Sequence, residues 1–167
     1  MKFCRKILSS ETDLSGFDCS INDELGLNDF IHNNALKYQQ EGMGVTHLFY
    51  DGVKIVGYIT LSMHSIRTAF VDLPTPIDMY PKVNYPALYL GRLAVDNTER
   101  RKGIARYMIN YCMVLAREKA KEELGCRVIV LVTKKYRVEF YKHFSFKVSN
   151  EKLKDNYKLM FYVLDLS

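Results

Sequence analysis

One stretch constrains the fold of this chain more than any other. Tyr89-Leu90-Gly91-Arg92-Leu93-Ala94-Val95 is an apolar run, and Glu99-Arg100-Arg101-Lys102-Gly103-Ile104-Ala105 then opens a long helical pattern. Ile104, Met108, Tyr111, Cys112, Leu115 and Ala116 mark the apolar face of that helix, while Arg117, Lys119, Lys121, Glu122 and Glu123 are polar. A second apolar run, Val128 to Val132, shows no alternation, as expected of a strand buried on both faces. Strand, helix and strand make a βαβ unit with a right-handed crossover. The first N–H groups of such a helix have no intrahelical acceptor. With Gly103 among them and Arg100, Arg101 and Lys102 beside them, they suit an anion, and a diphosphate is the natural guest.

At 167 residues the chain is expected to be a single domain, 1–167, able to bury a core without metals or disulfides. A net charge of +5 favours anionic partners without identifying nucleic acid. Cys4, Cys19, Cys112 and Cys126 form no C-x-x-C pair and have no His at a metal-ligand spacing. Reduced, buried thiols and no metal are expected. The same holds for His32, His47, His64 and His143, whose spacing suggests surface or core roles rather than ligation. No apolar run approaches the roughly 20 residues of a bilayer span, and no signal-peptide core follows Met1. A cytoplasmic protein with no membrane partner is expected.

Elsewhere the pattern predicts a first strand at 3–8 and an amphipathic helix starting near Asn22 and running to about Gln40. Thr46 to Tyr50 and Ile55 to Met63 read as strands around the hairpin signal Asp51-Gly52. Residues 72–86, with Pro74, Pro76, Pro81 and Pro86, read as a loop. Ala87 to Val95 is the central strand and Gly103 to about Leu124 the main helix. Val138 to His143 suggests a short helix, Phe144 to Val148 a short strand and Leu159 to Leu164 the last strand.

Arg100-Arg101-Lys102-Gly103-Ile104-Ala105, placed between a strand and a helix, resembles the [Q/R]-x-x-G-x-[G/A] signature of the GCN5-related N-acetyltransferase superfamily. Phe140-Tyr141-Lys142-His143-Phe144-Ser145-Phe146 looks like that family's FYxxxGF segment. Cys19, Leu27, Phe30, Ala35, Thr46, Ile55 to Ser62 and Leu90 to Asp96 resemble the branch that contains the acetyltransferase toxins of toxin–antitoxin pairs. The resemblance implies an α/β (α+β) fold: a mixed, mostly antiparallel sheet with a βαβ cofactor-binding unit, flanked by helices. It implies acetyl-CoA as co-substrate, with its pyrophosphate on the backbone of Arg101, Lys102, Gly103, Ile104 and Ala105. The side chains of Arg100, Arg101 and Lys102 would face the 3′-phosphate or solvent, and the pantetheine arm would lie along Leu93, Ala94 and Val95.

The implied reaction is direct attack of a primary amine on the thioester through a tetrahedral intermediate. Tyr141 would be the general acid, and an N–H near Val95 an oxyanion donor. Asp96, Glu139 and His64 are open as bases, with a water wire beside them. The toxin branch acetylates the amino group of aminoacyl-tRNA and is neutralised by a small ribbon-helix-helix antitoxin. A non-catalytic acyl-CoA-binding module is the alternative from another class, and edge strands allow a homodimer. Two departures stand out. Ser145 occupies the family's glycine position, where a left-handed residue is expected, and Lys134 and Lys135 replace small or acidic residues.

Overall fold

The computed structural model describes residues 3–73 and 84–166. Seven strands, β1 (Cys4–Ile7), β2 (Val45–Asp51), β3 (Lys54–Arg67), β4 (Asn84–Val95), β5 (Val128–Lys134), β6 (Lys147–Val148) and β7 (Tyr157–Val163), form one sheet. Their order is β1-β2-β3-β4-β5-β7-β6. β4 and β5 pair in parallel, while β1–β2, β2–β3, β5–β7 and β6–β7 are antiparallel. The sheet is therefore mixed and mostly antiparallel, with helix α3 (Ile104–Glu122) connecting its parallel pair. The chain divides into two compact units, Met1–Ser62 with Leu90–Tyr111 and Met63–Tyr89 with Cys112–Ser167.

In the first unit, β2 and β3 form the predicted hairpin. Asp51 pairs with Lys54, and Gly52 takes φ 59° in the two-residue loop. The helical stretch begins later than its periodicity suggests, because Gly26 sits at φ 64° and Asp23 caps the helix beyond it. The Asp23 carboxylate accepts from Leu27 N at 2.8 Å and Asn28 N at 2.7 Å. The stretch then runs as α1 (Leu27–Asp29), a π-helical turn (Phe30–Asn34) and α2 (Ala35–Gln40). Leu8, Phe17, Phe30, Ile31, Leu48 and Tyr58 form its core with Ala94. Tyr58 is fully buried, and its hydroxyl donates to Leu27 O at 2.7 Å. Gly57 has a packing reason. A Cβ there would lie 2.9 Å from Ala94 O and 3.0 Å from Met108 Sδ, so any other residue pushes β3 away from its neighbours.

His47 is buried on β2 and shares a 3.2 Å hydrogen bond with the Tyr111 hydroxyl. Burial, aided by the Arg5 charge, pulls its pKa down from 6.5 to about 4. A depressed pKa means that the stability held by neutral His47 is intact above pH 6.5 and is lost as pH falls through 4. Chemical denaturation at pH 7 and pH 4 should show the wild type losing about 2–3 kcal/mol more than His47→Gln. Equal losses would show that His47 does not couple folding to protons.

In the second unit, Ile66, Val71, Tyr85, Ala87, Val128, Val130, Leu159 and Phe161 form the core. β5 is buried from Val128 to Leu131, as its unalternated sequence predicts. β3 extends to Arg67, beyond the predicted end, through a mostly exposed segment with little apolar signal. Asn84, Tyr85 and Pro86, expected to be loop, belong to β4; residues 74–83 of that proline-rich segment lie outside the described residues. The strand predicted at Phe144 to Val148 shrinks to Lys147–Val148, because Phe144 and Ser145 close a turn back onto α4 (Val138–Lys142). All four cysteines are free thiols. Cys19 and Cys112 are buried and raised to about 12 by desolvation, whereas Cys4 is exposed, contrary to expectation.

Candidate active site

The site is built from the end of β4 outward. β4 pairs with β5 over Ala87–Tyr89 and then continues through Leu90–Val95. Asp96 N donates to Val56 O at 3.0 Å, so the backbone of Asp96 faces β3. Successive residues of an extended strand face opposite edges, which turns the N–H and C=O groups of Leu93 and Val95 to the edge that β5 no longer covers. Ala94, between them, is buried in the core of the first unit.

After β4 the chain makes a 3-10 turn, Asn97–Glu99, and reaches α3 through Arg100, Arg101, Lys102 and Gly103. Arg101 takes φ 64° and Gly103 φ 82°. The Gly103 carbonyl accepts the Tyr107 N–H at 3.0 Å, which closes the first helical bond and makes Gly103 the residue that caps α3. The N–H groups of Ile104 and Ala105 therefore have no acceptor within the helix and lie at the positive end of a 19-residue helix. A Cβ on Gly103 would meet nothing within 4 Å, so the loop presents open space there. Bare N–H donors, left-handed backbone and a side-chain-free position fit a diphosphate of the kind acetyl-CoA carries.

The loop is held by a buried carboxylate. Asp96 is 2% exposed and accepts from Thr98 N at 3.0 Å, Thr98 Oγ1 at 2.6 Å and Asp18 N at 3.1 Å. Lys54 Nζ lies 3.3 Å away. Burial opposes the charge on Asp96, but these hydrogen bonds outweigh it and hold the pKa below the usual carboxylate value. Asp96 is thus a clamp, with its lone pairs spent on the protein. Asp96→Ala should cost roughly 1–3 kcal/mol in denaturant melts, since it leaves the part-buried N–H donors of Thr98 and Asp18 without their acceptor while Lys54 keeps Glu99. A variant as stable as the wild type would show that Asp96 does not clamp the loop.

The loop cations are less available than their sequence suggests. Lys102 and Lys54 both bond Glu99 at 2.8 Å, and together they push Glu99 down to about 2. The Arg100 guanidinium donates to Ile21 O at 2.8 Å and Cys19 O at 3.4 Å, tying the loop to the N-terminal segment. Arg101 is exposed. Lys54 and Asp18 were not visible as site residues, because they lie far from the loop in sequence. The turn signal Asp96-x-Thr98 was the one local hint of the clamp. A shallow concavity of about 450 Å³, lined by Lys6, Glu11, Phe17, Tyr50 and Lys54, shares Lys54 with this site but contains none of Leu93–Val95 or Arg100–Ala105.

In the second unit, α4 carries Tyr141, which is 8% exposed and packs edge-on against Phe140 and Phe146 at 5.1 and 6.0 Å. Desolvation raises its pKa above that of an ordinary phenol, partly opposed by the Arg137 guanidinium. The turn after α4 closes through Ser145 N to Lys142 O at 2.9 Å and Phe146 N to Tyr141 O at 3.3 Å. Ser145 adopts φ 64°, the left-handed conformation expected of the glycine it replaces. Glu139 is exposed and paired with Lys142 at 2.7 Å, and His64 is exposed beside Tyr89, ring centroids 5.3 Å apart. Among the described residues no group of His, Cys, Asp and Glu could hold a metal ion.

The model of the acetyltransferase (GNAT) family matches residues 17–146. A tRNA-acetylating toxin of Mycobacterium tuberculosis is 24% identical over 143 residues, which cover 85% of this chain and 82% of that protein. AtaT complexed with acetyl-methionyl-tRNAfMet has the same fold, with a TM-score of 0.80 at 20% identity over 97% of this chain and 95% of that one. AtaTR bound with AcCoA matches with a TM-score of 0.77 at 20% identity, over 97% and 94% of the two chains. The family match spans β4, the Gly103 loop, α3, β5 and the Tyr141 segment, so the chain belongs to the acetyltransferase (GNAT) family.

Proposed function

We propose that this acetyltransferase moves the acetyl group of acetyl-CoA to the α-amino group of aminoacyl-tRNA. The observation that carries the donor half is the Gly103 loop at the head of α3, with its left-handed backbone and bare first-turn N–H groups. The acceptor half draws support from the tRNA-acetylating toxin, whose match runs along most of both chains. Bound acetyl-CoA supplies an activated acyl thioester. The backbone of Arg101, Lys102, Gly103, Ile104 and Ala105 holds the diphosphate, and Arg100 fixes the loop that presents it. The open edge of Leu93 and Val95 takes the pantetheine arm as an added strand, with the Val95 N–H available to the acetyl oxygen.

Tyr141, protonated at neutral pH, supplies the proton that the departing thiolate needs. An α-amino group has a pKa of about 8, so a strong base is not required, which agrees with Asp96 being committed to the loop. By the same reading a small ribbon-helix-helix antitoxin is the expected protein partner.

The test is acetyl transfer from radiolabelled acetyl-CoA to three pools: aminoacyl-tRNA, polyamines and N-terminal peptides. Label confined to charged tRNA supports the proposal. Label on polyamines or peptides replaces the acceptor. Cofactor binding with no label in any pool makes the chain a non-catalytic acyl-CoA-binding module.

A further inference from the structure

We infer that residues 134–158 form the surface that receives the single-stranded 3′ end of the RNA acceptor. The inference rests on the aminoacyl-tRNA reading and adds where on the molecule that substrate docks. This segment holds eight Lys and Arg against three Asp and Glu, an excess equal to the net +5 of the entire chain. The fold gathers Lys134, Lys135, Lys154 and Lys158 at one end of the second unit. β5 and β7 pair Lys134 with Tyr157 and Thr133 with Lys158, and Lys135 N donates to Asn156 O at 2.8 Å. Asp155 and Asn156, at φ 54° and 60°, form the tight turn that Tyr157 N closes on Lys154 O at 3.1 Å, which keeps Lys154 at this end.

Two features suit this surface to single-stranded RNA. The first is the state of its charges. Among the described residues Lys134, Lys135, Arg137, Lys152, Lys154 and Lys158 make no ion pair, while Lys142 of the same segment is paired with Glu139. The second is aromatic exposure. Tyr136 is 61% exposed and Phe140 41% exposed, and they lie four residues apart along the 3-10 turn Lys135–Arg137 and α4. Cations already stack on rings here, with Lys134 Nζ 4.0 Å from the Tyr157 centroid and the Arg137 guanidinium 5.7 Å from that of Tyr136.

Unpaired cations that track a phosphate backbone, interleaved with exposed rings on which bases stack, suit single-stranded RNA better than a duplex, whose bases are already stacked. The chain also places this surface beside Tyr141, the general acid of the proposed reaction. Phe140 is exposed while its neighbour Tyr141 is buried, on the same short helix.

Fluorescence anisotropy with two labelled probes tests this: an intact deacylated tRNA, and the same tRNA lacking its single-stranded 3′ end. The wild type should bind the intact tRNA more tightly, with log affinity falling linearly in log salt. Lys135→Glu with Arg137→Glu should weaken binding at least tenfold and flatten the salt slope by roughly one to two. Tyr136→Ala with Phe140→Ala should weaken binding about tenfold or more and leave the slope unchanged. All four positions lie outside the donor loop, so KM for acetyl-CoA and the thermal midpoint report whether each variant is intact. Folded variants that bind tRNA like the wild type overturn the inference, as does a wild type that binds neither probe. Transfer to charged tRNA is scored separately. Its absence in a wild type that binds tRNA through these residues overturns the acceptor reading while leaving the docking surface in place.

Discussion

Tyr141→Phe should lower kcat roughly 10²-fold or more while leaving KM for acetyl-CoA nearly unchanged. The substitution removes one hydroxyl from a buried ring and keeps the edge-on packing against Phe140 and Phe146. Burial raises the Tyr141 pKa, so the wild-type phenol stays protonated across the neutral range and beyond the ordinary value of about 10. Wild-type turnover should therefore lose nothing to Tyr141 ionisation up to the ordinary phenol value of about 10, and any descending limb above that value should be absent from the Phe variant. Steady-state kinetics from about pH 6 to 10 check the drop in kcat and the absence of that limb. An unchanged kcat would take Tyr141 out of the chemistry and leave it a packing residue.

Gly103→Asp should act on the other half of the reaction, raising KM for acetyl-CoA tenfold or more. Position 103 sits at φ 82°, where an L-residue costs about 1–2 kcal/mol, and its Cβ would enter the open space that the proposed reading gives to the diphosphate. The added carboxylate also competes for the first-turn N–H groups and repels phosphate. Aspartate is itself a favourable cap, so α3 should survive and the loss of stability should stay within that strain. Calorimetric titration with acetyl-CoA separates affinity from folding. Wild-type affinity in this variant would mean that the diphosphate is held elsewhere.

The βαβ unit and the left-handed Gly103 were legible because each sits in a pattern that needs no tertiary information, whereas Tyr141 stood out only through the family resemblance. The Val128–Leu131 run and the apolar face of α3 announce a βαβ unit, and a glycine at its helix start announces a left-handed cap. Ser145 stands where the resemblance puts a glycine, a departure that left the local turn open, and it adopts the left-handed conformation all the same. What the sequence could not show was where polar side chains spend their hydrogen bonds. Arg100 and Lys102 look like phosphate ligands until Ile21, Cys19 and Glu99 are seen to engage them. Asp96 looks like a base until Thr98, Asp18 and Lys54 are seen around it. Such choices depend on residues brought together from far along the chain. The late start of α1 has a similar origin, because apolar spacing registers a helical face and not the glycine that delays it.

The links between the cofactor loop and residues 18–21 have a kinetic consequence. Asp18 N reaches Asp96, Asn97 N reaches Asp18 O at 2.7 Å, and Arg100 reaches Ile21 O. Neither partner can hold its shape while the other is detached. The amides of Asp18, Asn97 and Thr98 should therefore exchange with deuterium at a common rate, opening as one cooperative patch. Occupation of the loop by acetyl-CoA should then slow exchange at Asp18, far upstream in the chain from the residues the ligand touches.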